Sequence, residues 1–109
     1  MSNIDLTRII TAQDKAAQAA QARASSIKTE CKARILAVCN EVVQINLAAA
    51  AAAGRLSPDQ QAAFGAGLQW IEDMRAACAA RIADTATDPS ERADWPPVPV
   101  GVAELTQAF

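Results

Sequence analysis

An all-α fold, a long antiparallel helical hairpin, is predicted from three observations. Alanine, the strongest helix former and a poor strand former, fills 27 of the 109 positions. From Ala12 to Ala53 there is neither Pro nor Gly to interrupt a helix. Beyond a four-residue break, Gly54 to Ser57, a second segment opens on a helix-start signal, and so short a connection makes the two helices antiparallel neighbours.

Taken in order, residues 1–10 carry Ile4, Leu6, Ile9 and Ile10 with polar residues between them, a short extended pattern that predicts an N-terminal arm. Thr11-Ala12-Gln13-Asp14 resembles a capping box with Asp in place of Glu, which starts the first helix at about residue 12. That helix is expected to run unbroken to about 53, with Gly54 as its left-handed C-terminal cap. Ser57-Pro58-Asp59-Gln60 supplies an N-cap, a proline at the first helical position and a glutamine three residues after the cap. The second helix is expected over about 58–86, stopped by Asp88-Pro89. Gly65 and Gly67 weaken its first turns or admit another backbone closely. The organisation is therefore an arm (1–10), a helical hairpin (11–87) and a Pro-rich tail (88–109) with one last helical turn, Val102, Leu105 and Phe109 lying near one face.

Spacing decides which faces meet. Ile27, Cys31, Ile35, Val38, Val42, Ile45 and Ala49 recur in steps of three and four, the stripe of a packed helix face. Leu36, Val43 and Leu47 form a second stripe beside it. The second helix offers Phe64, Leu68, Ile71, Met74, Cys78 and Ile82, enough to cover one stripe and leave the other open. At 1.5 Å per residue the helices span roughly 60 and 40 Å, so about 15 residues at the start of the first have no partner within the chain. Small side chains there, such as Ala16, Ala20 and Ala24, bury little area alone and suit close approach of another helix. A homo-oligomeric coiled coil or bundle is expected. In the tail, Trp95 is held extended by its neighbouring prolines and either folds back on the helices or docks into a partner.

Composition narrows the function. The chain has no His, the usual acid/base residue near neutral pH and the commonest metal ligand. Its formal charge of −2 offers no basic field for nucleic acid. The longest apolar run, Leu47 to Ala53, is far short of the roughly 20 residues that cross a bilayer, and the first six residues lack a signal peptide's pattern. Three cysteines, Cys31, Cys39 and Cys78, make no closed disulfide framework and read as reduced packing residues in a cytoplasm. Glu72 and Asp73 point about 100° apart on a helix and are surface charges, and Gly65-Ala66-Gly67 is too short for a phosphate loop. Lys15, Arg23, Lys28, Lys32 and Arg34 face only Glu30 in their span, whereas seven acids face three arginines from Glu72 to Glu104. Such runs usually solvate a helix. No enzyme activity, cofactor, metal, nucleic acid or membrane is expected.

Arg8-Ile9-Ile10-Thr11-Ala12-Gln13-Asp14-Lys15-Ala16-Ala17 resembles the segment that opens the helical region of bacteriophage and prophage tail-fibre assembly proteins. The likeness continues through Arg34-Ile35-Leu36-Ala37-Val38 and Gln44-Ile45-Asn46-Leu47-Ala48-Ala49, covering about residues 8–83, and Ala93-Asp94-Trp95-Pro96 is similar to the ends of such small phage proteins. This resemblance implies a phage accessory protein that acts as a chaperone for a tail-fibre tip in the host cytoplasm and sometimes remains on the particle. Larger members carry a β-rich domain ahead of the helical region, where only ten residues stand here, so a structural tail component forming a helical bundle is the alternative. Partner binding is assigned to Ile27, Ile35, Val38, Val42, Ile45, Trp95 and Phe109.

Overall fold

The computed structural model describes residues 2–84 and 95–109, residues 2–10 by their backbone alone. Among the described residues four helices follow in order: α1 (Ser2–Val38), α2 (Glu41–Ala52), α3 (Pro58–Ala83) and α4 (Val102–Gln107). No strand occurs among the described residues, so the all-α expectation holds.

Two boundaries differ from those expected. The N-terminal arm is not extended: α1 already begins at Ser2, and Thr11 lies inside the helix rather than at its cap. Once the following turns exist, each added residue gains a hydrogen bond without a new nucleation cost, and no Pro or Gly stands in the way. The second difference is a break at Cys39-Asn40. What spacing suggested as one helix over 12–53 is two, with the axes of Thr11–Val38 and Glu41–Ala52 bent by 60°. Asn40 adopts an extended conformation, φ −68° and ψ 168°, and its side-chain oxygen accepts from the Val43 amide at 2.9 Å, an N-cap that starts α2 anew. Glu41 follows in the first turn, where a carboxylate suits the helix dipole. The Cys39 carbonyl at the break is taken by Gln44 Nε2 at 2.7 Å.

The other end signals form as expected. Gly54 has φ +69°, its amide donates to Ala51 and the Arg55 amide donates to Ala50, the paired bonds of a Schellman cap. At α3, Gln60 N–H donates to Ser57 Oγ while Ser57 N–H donates to Gln60 Oε1, a complete capping box with Pro58 behind the cap. α3 ends at Ala83. Its expected extension to 86 and the Asp88-Pro89 stop lie outside the described residues.

α3 returns antiparallel to α1. Arg23 reaches the carbonyls of Arg81 and Ile82, and Cys31 Sγ lies over the Met74 carbonyl, so rising numbers on α1 meet falling numbers on α3. Two small cores result. Ile27, Cys31, Trp70, Met74 and Cys78 form the first, with Ile35, Val38, Ile71, Ile82 and Trp95 packed around it. Cys39, Leu47, Leu56 and Leu105 form the second, with Val43, Phe64 and Phe109 at its edge. Thr11 to Ala22 is exposed residue by residue, the stretch of α1 that length arithmetic left without a neighbour. The molecule measures 73 × 25 × 16 Å with a radius of gyration of 20.2 Å, against about 13 Å for a compact chain of this length.

From Trp95 onward the chain straps back over the helices. Arg34 and Arg81 stand over the Trp95 ring, 5.4 and 5.5 Å from its centroid, and Trp70 Nε1 donates to the Pro96 carbonyl at 2.9 Å. Trp95 thus folds back. Gly101, with φ +91°, turns the strap into α4, whose Val102 and Leu105 are buried.

Candidate interaction surface

The break at Asn40 rotates the packed face. On α1 the inward positions are Ile27 and Cys31, then Ile35 and Val38; on α2 they are Val43, Leu47 and Ala50. Had the helix continued, the step after Val38 would have fallen on Val42 and Ile45. One residue of phase is inserted at Cys39, which is itself buried, and the inward role passes to the second stripe. Val42 and Ile45 are turned outward, 65% and 68% exposed. Ala49 and Ala52 lie beside them, also exposed.

This face has unusual chemistry for solvent. Among its 12 residues α2 carries one charge, Glu41, and only Leu47 is buried. A helix apolar on all sides is ordinarily enclosed on all sides. A β-branched pair flanked by methyl groups, with Glu41 the one charge at its edge, is suited to burying another apolar surface.

The residues expected to bind a partner separate into three groups. Ile27, at 1% exposure, is at the centre of the first core, and Ile35 and Val38 pack against it; these three hold α1 to α3. Trp95 packs on the same core and Phe109 on the second, where its carbonyl accepts from Asn46 Nδ2 at 3.3 Å. Val42 and Ile45 alone are presented outward. Their stripe was expected to act as one surface, and the bend divides it into a core half and an exposed half.

Spacing did not single out the open side of the α1–α3 pair. A groove of about 670 Å³ runs there, floored by Ile35, Leu36, Leu68 and Ile71 and rimmed by Lys28, Lys32, Glu41, Glu72 and Arg75. Leu68, counted among the covering residues of α3, is 50% exposed. A smaller apolar cavity of about 220 Å³ lies at the bend between Leu47, Phe64, Trp70 and Leu105. Val100, on the strap, is fully exposed.

No group of three His, Cys, Asp or Glu side chains able to hold a metal ion occurs among the described residues. No single helix among them is long and apolar enough to cross a membrane. The three thiols are buried and unbridged. Burial pushes the Cys31 thiol above its ordinary range, with Cys78 beside it adding to the effect, and burial does the same to Cys39. No protein-family model, curated protein or solved structure matches the chain.

Proposed function

We propose that this chain is a non-enzymatic accessory protein of phage tail-fibre assembly, which holds an apolar segment of the fibre tip against the outer face of α2. One observation carries the reading: Val42 and Ile45 remain 65% and 68% exposed although both of the chain's own cores are assembled without them. The resemblance of residues 8–17 to the opening of the helical region in tail-fibre assembly proteins supplies the class of partner. Host cytoplasm during assembly is the corresponding place of action. Burial of apolar area is the mechanism, at about 25 cal/mol per Å² removed from water.

The test uses a recombinant fibre-tip segment from the phage genome that encodes this chain. The wild-type protein is expected to retain it, and Val42→Asp with Ile45→Asp to weaken retention at least tenfold while the helical circular dichroism is unchanged. Failure of the wild type to bind, or equal binding by the variant, contradicts the proposal.

A second reading is favoured by a separate observation. Thr11 to Ala22 is an alanine-rich helical stretch exposed on every side, the feature expected of a virion component whose copies pair along α1 into a coiled coil or bundle. A fixed oligomer by light scattering, together with the protein's presence in purified particles, supports that reading; a monomer absent from particles opposes it.

A further inference from the structure

Between α1 and α3 lie two thiols for which the outer face of α2 has no use. Cys31 and Cys78 sit on facing helices in the same core cluster. Cys31 Sγ lies 3.6 Å from the Met74 carbonyl, one helical turn before Cys78, and Cys78 is near enough to add to the upward shift of the Cys31 thiol. Both line the groove of about 670 Å³ on the open side of the helix pair, which gives a small solute a route to them. Cys39 belongs to the second core and lines the other cavity, without a thiol beside it.

We propose that Cys31 and Cys78 are an oxidation site, a dithiol that closes into an intramolecular disulfide when it meets a low-molecular-weight disulfide such as oxidised glutathione, pinning α1 to α3. One protein thiolate attacks a sulfur of the reagent and displaces a glutathione thiolate. The second protein thiolate then attacks the protein sulfur of that mixed disulfide and displaces the other. Two protein sulfurs are oxidised by two electrons in all, the reagent gains those electrons as two thiols, and the two protons leave with them. The bridge requires a sulfur separation of about 2.05 Å, so the two side chains, already in one core cluster, must turn toward one another. Closure with Cys31 as the attacking thiol is slow at neutral pH, since burial keeps that thiol protonated, and accelerates up to about tenfold per pH unit toward the thiol range. The inference does not depend on the proposed partner, since it concerns the interior of the helix pair.

The experiment is incubation of the native full chain with oxidised glutathione at alkaline pH, followed by mass spectrometry. Trypsin places each cysteine on a different peptide, 29–32 for Cys31, 35–55 for Cys39 and 76–81 for Cys78. A loss of two hydrogens from the intact chain, with peptides 29–32 and 76–81 linked, is expected. Thermal unfolding of the oxidised chain should rise by roughly 10 °C, the order of effect of closing a loop of this length, and Cys39→Ala should behave like the wild type. Stable glutathione adducts, a bridge that includes Cys39, cross-linked dimers or three unchanged thiols would each overturn the proposal, and none of these readings requires a variant that might fail to fold.

Discussion

Arg23 stands where the last carbonyls of α3 run out of helical partners. Its guanidinium donates to the Ile82 and Arg81 carbonyls at 2.9 Å each and to the Asp84 carbonyl, so one cation from α1 closes the C-terminal end of α3. Charge-assisted bonds of this kind contribute about 1.5–3 kcal/mol. Arg23→Ala should lower the urea unfolding free energy by about that amount, whereas Lys32→Ala, on an exposed side chain, should change it by less than about 0.5 kcal/mol. The two residues look alike within the basic run of α1, and their roles separate only once α3 is in place. Arg34 is a similar case: its ion pair with Glu30, at 3.0 Å on an exposed i,i+4 spacing, adds little, while its position over Trp95 ties it to the strap. The buried thiols make a second residue-scale prediction. Burial raises Cys31 and Cys39 in the folded chain, so as pH climbs through the ordinary thiol range the unfolded chain loses protons that the folded chain keeps. Stability is therefore full below about pH 8 and falls as pH rises toward the folded values. Unfolding in urea at stepwise pH checks this, and Cys39→Ser should reduce the slope.

At the scale of elements, the break between α1 and α2 decides what the protein can present. Asn40→Ala removes the side-chain acceptor of the Val43 amide and should cost about 1 kcal/mol, measured by thermal unfolding, with Asn40→Asp close to wild type. The helical content, the Gly54 cap, the Ser57 capping box and the last turn at α4 were legible because each rests on local chemistry: a left-handed glycine, a hydroxyl acceptor, a proline at the first position. The break was not, since Asn is tolerated inside helices and no Pro or Gly marks the site. Its signal was present in a weaker form, an Asn followed directly by Glu, coincident with two apolar stripes one residue out of phase. The same weakness of local signals explains the start of α1. Alternation at Ile4, Leu6 and Ile9 suggested an extended arm, but cooperative growth of the following helix outweighs a short pattern with no neighbouring strand.

Over the whole molecule, the exposed apolar face of α2 was half legible. A single stripe from Ile27 to Ile45 was expected to meet a partner, and which part of it is available depends on the 60° bend, a tertiary property. Ile27, Ile35 and Val38 are drawn into the core by α3, Trp95 and Phe109 are drawn back by the strap, and Val42 and Ile45 are left outside. Thr11 to Ala22 extends past the end of α3 as length alone predicts. The result is an elongated molecule with two small cores and an exposed apolar patch on α2, edged by Glu41. That account turns on the orientation of α2, which the equilibrium unfolding of a Val42→Asp, Ile45→Asp protein tests most directly. Two carboxylates placed on a solvent-facing helix surface should leave the unfolding free energy within about 0.5 kcal/mol of wild type; a loss of several kcal/mol would mean that these side chains lie in the core and that α2 presents no such face.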